Sequence, residues 1–419
     1  SQIEYFTILP SNKPNFFIPY FHISNSKDSR IVKYKVYRYN IEIWQEEINI
    51  EQTHSFWDSL EFNGEYKIIF EISDKSGFSQ TKSFKINQDY FNNILPNNGT
   101  FTLKNMKICQ VDPGCGISIP PKSWGAIEKI VWEFKCNQEK LDHEVHIRMA
   151  SDITPGEFDI VHCHVANLCE TLQAKDIPYV YQLHDHHAYH YGKDSHVFRE
   201  NMRAIEGSLV SLMPGKFLVD YFDNPKCQYF SHGVNTDYYH PDFNAEKRGD
   251  FLMVANNGFA NDPSFDRKGF GFGVALAAMT GKRLTIAGPM NNRHWLNANL
   301  WVLSHPHLTF NFDLSQEKIK ELYQSHEIFL HPSILEAGHP NLTLLEAAAC
   351  GMPIIGWVEE ATDFGGLWRA PRDIFDMKSG YNDIQDKKQL YIQSSLSTAK
   401  KLSWFNRSKD IIEIYQQFI

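Results

Sequence analysis

Apolar residues follow two different rhythms along the chain. Over residues 1–90, runs such as IVKYKVYRYNIEI, YKIIFEIS and TKSFKI alternate or cluster β-forming residues, with the turns Phe62-Asn63-Gly64 and Lys75-Ser76-Gly77 between them. Short strands with turn signals at intervals of about ten residues predict an all-β, immunoglobulin-like sandwich. The Asn- and Pro-rich stretch DYFNNILPNNGTF then reads as a linker, placed at 91–103. From 104 onward the rhythm changes. KICQVD is a short apolar strand, and GAIEKIVWEFKCNQEKL carries apolar residues at helical spacing. EVHIRMA, DIVHCHV and YVYQLHD follow as strands separated by helices. A second alternating block begins at DFLMVANN and runs through GFGVALAAMTG, RLTIAGP, LTFNFDL, QEKIKELYQSH, IFLHPS, LTLLEAAACG and PIIGW. Strands and helices in alternation predict parallel sheets covered on both faces. Two such blocks predict two Rossmann-like lobes, 104–242 and 243–397.

Composition narrows the picture without changing it. The chain has 419 residues, 42% hydrophobic and 22% charged, which is the balance of soluble globular proteins. No apolar run approaches the roughly 20 residues that span a bilayer. SQIEYFTILPSNKPNFF shows no basic region followed by an apolar core, so no signal peptide is read from it. A formal charge of −9 argues against a surface built to coat nucleic-acid phosphates, and no basic, aromatic-studded stretch appears. Seven cysteines form no CxxC pair, which predicts buried, reduced thiols and a cytoplasmic protein.

The densest chemistry lies in ILEAGHPNLTLLEAAACGMPIIG, residues 334–356. IFLHPS reads as a buried strand. LTLLEAAAC reads as a helix, with Gly351 ending it. The turn between them lies at the carboxyl end of a parallel strand, where doubly wound sheets bind ligands. Gly338 allows close backbone approach. The N–H groups of Asn341, Leu342 and Thr343 point out of the helix start, a place for phosphate. Glu346, one turn further in, reaches toward hydroxyls such as those of a ribose. Read alone, either glutamate could simply complement the helix dipole.

This stretch resembles the donor-site signature of retaining GT-B glycosyltransferases of the family 4 type. Their usual form is Glu-Gly-Phe-Gly-x-Pro-x-x-Glu-Ala-x-Ala-x-Gly-x-Pro-Val. The preceding HPS and the following LLEAAACGMPII match closely. The two glutamates stand ten positions apart here rather than eight, so the turn carries two extra residues. Other segments match in family order across 106–419. IPPKSWGAIEKIVWEF is similar to the glycine loop of the first lobe, with Trp124 and Ala126 as substitutions. LDHEVHI and DIVHCH match strand segments. YVYQLHDHH matches the strand ending in a histidine. SHGVNTDYYHP matches the interlobe segment, with His232 in place of Asn and Asn235 in place of Asp. FLMVANNGFANDPSFDRKGFGF corresponds to Val-Gly-Arg-x-x-x-x-Lys-Gly, with Asn256 or Asn257 where the family has arginine. SWFNRSKDIIEIYQQF resembles the last helix, at 398–419, which in the family packs back on the first lobe.

The resemblance implies a hexosyltransferase that retains anomeric configuration and needs no cofactor or metal. It would take a UDP- or GDP-sugar as donor and a hydroxyl of a glycan or glycoconjugate as acceptor. It assigns His184, Glu336 and Lys268 to catalysis. Glu336 lies against the donor sugar, His184 faces the reacting sugar, and Lys268 holds the diphosphate. Donor binding falls to Gly125, Asn257, Arg267, Lys268, Gly338, Asn341, Leu342, Thr343 and Glu346, with Glu346 on the ribose. Asp185 supports His184 or meets the acceptor. HDHHAYHYGKDSH holds five histidines in thirteen residues, but their spacing lacks a metal-ligand context, and the stretch reads as a polar loop facing the acceptor. Two other readings stay open: a catalytically weak GT-B protein serving as a glycan-binding or scaffold module, and a sugar-nucleotide epimerase.

Overall fold

The structure is a computed structural model. It describes residues 105–419 apart from 122–124, 247, 258–265, 335, 337, 339, 358–363, 371 and the side chain of 303, and before them only a set of strands by their backbone. The expected linker at 91–103, Trp124 and the loop after Asn257 lie outside the described residues. Residues 1–104 and 105–419 form separate compact units.

In the first unit, β1 (Ile3–Pro10), β2 (Phe16–Ile23) and β5 (Leu60–Glu61) form one antiparallel sheet. β3 (Arg30–Arg38), β4 (Ile41–Ile50), β6 (Tyr66–Asp74) and β7 (Ser79–Ile86) form another, in the order β4-β3-β6-β7. The second unit holds two parallel six-stranded sheets.

In the first lobe the strands are β8 (Lys107–Val111), β9 (Glu144–Arg148), β10 (Ile160–Cys163), β11 (Val180–Gln182), β12 (Val210–Met213) and β13 (Cys227–Tyr229), ordered β13-β12-β11-β10-β8-β9. The connecting helices are α1 (Ala126–Glu139), α2 (Ala166–Gln173), α3 (His187–Tyr191), α4 (His196–Gly207) and α5 (Lys216–Phe222). Central strands covered on both faces need continuous apolar runs, and β10 and β12 are buried at every residue. The α1 sequence buries Ile130, Val131 and Phe134 on one face, as helical spacing requires.

The second lobe contains β14 (Gly249–Val254), α6 (Phe270–Thr280), β15 (Leu284–Gly288), α7 (Arg293–Ala298), β16 (Leu308–Phe312), α8 (Gln316–Ser325), β17 (His326–His331), α9 (Leu342–Ala349), β18 (Ile354–Gly356), β19 (Leu367–Arg369), α10 (Ile374–Asp386) and α11 (Lys388–Lys401). Its sheet is ordered β16-β15-β14-β17-β18-β19. The last helix, α12 (Trp404–Tyr415), buries Trp404, Ile411, Ile412 and Tyr415 with Ile108, Phe134 and Val180 of the first lobe. Where the chain passes between lobes, Val234 and Ser403 form a parallel bridge, and Trp404 N donates to Val234 O at 3.0 Å. The two crossings are thereby tied to each other. No helix among the described residues is long and apolar enough to cross a membrane.

Candidate active site

The carboxyl ends of β14 and β17 lie side by side, because these strands pair in the sheet. After β14 the chain turns at Asp266 to Gly269 into α6. After β17 it passes through Pro332 and Ser333 into the glutamate turn. Gly269 adopts a left-handed backbone (φ 73°), and a Cβ there would strike the Pro332 carbonyl. Asp266 accepts from Phe270 N at 2.8 Å and Gly271 N at 2.7 Å, which satisfies donors at the start of α6. Arg372 locks the two turns together, donating to Asp266 O at 2.6 Å, to Pro332 O at 2.9 Å and to Arg267 O.

This close packing sends two consecutive cations to one carboxylate. Lys268 Nζ and Arg267 Nη1 both meet Glu336 Oε1, the latter at 3.3 Å, and Ser333 Oγ donates to the same atom. Neighbouring residues on a turn often point apart, but Arg267 and Lys268 converge. Burial raises the Glu336 carboxyl pKa, but Lys268, then Arg267 and His331, outweigh it and hold the group well below the usual carboxylate range. Burial lowers the pKa of Lys268 and of Arg267, with Glu336 opposing the shift in each. Asn257, expected in place of an arginine, has an interior role: its Oδ1 accepts from Lys268 N at 3.0 Å, and its own N–H donates to Asn292 Oδ1 at 2.8 Å. It places the lysine. Across the cleft, His186 senses the charges of Arg267, Glu336 and Lys268, and burial brings its pKa down to about 4.

At the far end of the turn, Asn341 caps α9. Its Oδ1 accepts from Leu344 N and from Thr343 Oγ1, both at 3.1 Å, and its Nδ2 lies 3.1 Å from His331 Nε2. Glu346 is buried one turn on and accepts from Tyr323 OH at 3.1 Å. Its other oxygen meets Lys129 of α1, in the first lobe, at 2.5 Å, and the same ammonium lies 3.1 Å from Tyr239 OH. Gly125, Lys129, Leu342, Thr343 and Glu346 line one cavity of about 160 Å³, walled elsewhere by apolar residues such as Val254, Leu314 and Ile319. Gly125, Leu342, Thr343 and Glu346 thus come together from both lobes, and Lys129 joins them. Nothing in the local sequence marked that lysine, which is one more cation on an amphipathic helix.

His184 sits in a row of imidazoles. Its Nε2 lies 3.0 Å from His164 Nδ1, and its Nδ1 makes a longer 3.4 Å contact with His232 Nε2. His164 Nε2 continues to Gln110 Oε1 at 2.8 Å, and Gln110 Nε2 to Gln138 Oε1 at 3.0 Å. The three imidazoles stack, with centroids 5.2 and 5.6 Å apart. Burial, followed by neighbouring imidazoles, lowers the pKa values of His164 and His184 well below 6.5, and burial brings His232 to about 4. Neutral rings follow. Asp185 instead accepts from His187 N at 2.9 Å. Among the described residues, no group of three or more His, Cys, Asp or Glu is placed to hold a metal ion.

These rings make acid sensitivity a property of the first lobe. Between a depressed folded-state pKa and 6.5 the unfolded chain binds the extra protons, so stability falls as pH drops through that window. It is fully kept above 6.5. Each buried ring contributes a slope on the order of 1 kcal/mol per pH unit. The melting temperature is expected to fall steeply from pH 6.5 toward pH 5, and His164→Gln to flatten that fall. Equal slopes in the two proteins would show that the chain does not bury neutral imidazoles.

Residues 274–368 match the family model described as glycosyl transferases group 1, a stretch that contains both turn glutamates but not Lys268. No curated protein matches the chain in sequence. Among solved structures, sucrose-phosphate synthase from Thermosynechococcus elongatus is similar with a TM-score of 0.58 at 13% identity, covering 74% of this chain and 98% of its own. HepE from Anabaena, crystallised with UDP and glucose, gives 0.56 at 11% identity over 74% of this chain and 99% of its own. AviGT4, a glycosyltransferase of avilamycin A biosynthesis, gives 0.53 at 15% over 75% and 98%. At such identities the likeness is one of fold. The second lobe is thus similar over residues 274–368 to glycosyl transferases group 1, within a two-lobed GT-B-like α/β fold.

Proposed function

We propose that this protein transfers a hexose from a UDP- or GDP-sugar to a hydroxyl of a glycan or glycoconjugate, retaining anomeric configuration and without an essential metal. The observation that carries the reading is the convergence of Lys268 and Arg267 on Glu336 at the β17-to-α9 turn. Breaking the sugar–phosphate bond loads negative charge on the departing diphosphate. Preorganised cations and outward-facing amides in a water-poor cleft stabilise that charge at no further reorganisation cost. Lys268, Arg267 and the N–H groups of Leu342 and Thr343 supply these donors, with Asn341 and Gly338 shaping the turn. Glu336 orients the donor sugar, Glu346 holds the ribose, and Gly125 gives close approach from the first lobe. The diphosphate itself accepts the proton of the attacking hydroxyl on the same face. That HepE holds UDP and glucose makes UDP-glucose the first donor to try.

The β-rich front is read as a sandwich-like accessory domain over 1–90, with a linker at 91–103 before lobes at 104–242 and 243–397 and a returning helix at 398–419. Free thiols at all seven cysteines suit a reducing, cytoplasmic setting. Screening UDP- and GDP-sugars for thermal stabilisation and slow hydrolysis tests the whole reading. Stabilisation with hydrolysis supports transfer. Stabilisation without hydrolysis moves the protein to the weak, scaffold-like class. Interconversion of the donor sugar would make it an epimerase.

A further inference from the structure

Lys129 of α1 reaches out of the first lobe to Glu346 of α9, in the second. Its ammonium lies 2.5 Å from Glu346 Oε1, 3.1 Å from Tyr239 OH and 4.7 Å from the centre of the Tyr239 ring. Glu346 Oε2 accepts from Tyr323 OH at 3.1 Å. Burial, and then Glu346, raises the pKa of both phenols, so both keep their protons. An ammonium has three hydrogens to donate. Among the described residues Glu346 and Tyr239 take two of them, which leaves one for a ligand. A ligand can reach it. Lys129 and Glu346 both line the cavity of about 160 Å³ between the lobes, and Lys129 also lines a neighbouring cavity of about 200 Å³, walled by Trp132 and Tyr238. Tyr239 and Gln316 border both cavities, so the lysine stands where the two adjoin.

We propose that Lys129 is a second ligand of the donor ribose: one ribose hydroxyl donates to Glu346 and accepts from Lys129, so the nucleoside is held by both lobes. The assignment rests on the glycosyl-transfer reading and supplies a specificity-determining residue within it. The chemistry of the pair selects the group. A phosphate beside Lys129 would stand against the Glu346 carboxylate, like charge on like. A base carbonyl can accept from the lysine but has no proton for the glutamate. A hydroxyl does both. The diphosphate has its own cations at the other end of the turn, where Lys268 and Arg267 converge on Glu336. Nothing in the resemblance assigns Lys129, so this contact does not follow from it.

The test measures calorimetric affinities of UDP, 2′,3′-dideoxy-UDP, GDP and 2′,3′-dideoxy-GDP for wild type and Lys129→Met. In wild type the preferred ribonucleotide is expected to bind about 100-fold more tightly than its dideoxy form. In Lys129→Met that preference falls to about tenfold, the share left to Glu346. The dideoxy nucleotide binds both proteins alike, which also reports an intact pocket. In unmutated protein, acetylation of Lys129, mapped by mass spectrometry, is blocked more by a saturating ribonucleotide than by its saturating dideoxy form, a readout independent of variant folding. An equal loss of both forms in the variant, an unchanged preference, or equal protection overturns the assignment alone. So does tighter ribonucleotide binding by Lys129→Met, which would make the lysine a competitor of the ribose for Glu346. Binding of none of the four compounds to wild type overturns it together with the glycosyl-transfer reading.

Discussion

Lys268→Ala is expected to lower turnover of the donor sugar by about 10²–10³-fold, the scale seen when one preorganised charge stabiliser is removed. The structure adds a stability cost. Lys268 is buried against Glu336, and a buried pair that loses one member costs about 3–5 kcal/mol. Arg267, 3.3 Å from the same oxygen, stays behind and keeps the loss toward the lower end. Activity loss alone would therefore be ambiguous. Lys268→Met removes the same charge but keeps an apolar stem in place and leaves Glu336 paired with Arg267, so it should recover part of the melting temperature while turnover stays low. Denaturant unfolding and steady-state kinetics on wild type and the two variants separate the two effects. Normal turnover in folded Lys268→Ala would remove the leaving-group argument.

The glutamate turn that meets this lysine was legible in part. β17, the α9 helix and the end at Gly351 (φ 75°) all follow from signals within a few residues of one another, and the structure has each. So do the alternating strands of both lobes, because parallel sheets demand continuous apolar runs. What remained hidden depends on distance along the chain. Lys129 and Glu346 are 217 positions apart, and nothing in EKIVWEF says that its lysine crosses to the other lobe. His232 reads as a substitution in the interlobe segment, yet it completes a stack whose other rings, His164 and His184, follow β10 and β11. The convergence of Arg267 with Lys268 required Arg372, over a hundred positions away, to pin the turn. Local pattern predicts where a loop is; long-range packing decides which of its side chains meet.

Gly338→Ala is expected to cost about 100-fold in turnover, through displacement rather than through any lost group. Its methyl would lie 2.8 Å from His232 Nδ1, 3.1 Å from its Cε1 and 3.3 Å from the Asn341 Cα. The imidazole cannot swing aside easily, since it stacks on His184, which in turn stacks on His164. The turn must yield instead. Glu336 lies on one side of Gly338, and the cap Asn341 on the other, so a shift of about 1 Å moves the carboxylate and the α9 amides relative to each other. Misplacement on that scale is enough for a loss of about 10², while overpacking itself destabilises by about 1–3 kcal/mol. His232→Ser in the Gly338→Ala background should restore the space and the melting temperature, but not donor turnover. Wild-type kinetics in Gly338→Ala would mean that the turn tolerates a side chain there, and that the closeness of Gly338 to His232 has no part in placing Glu336.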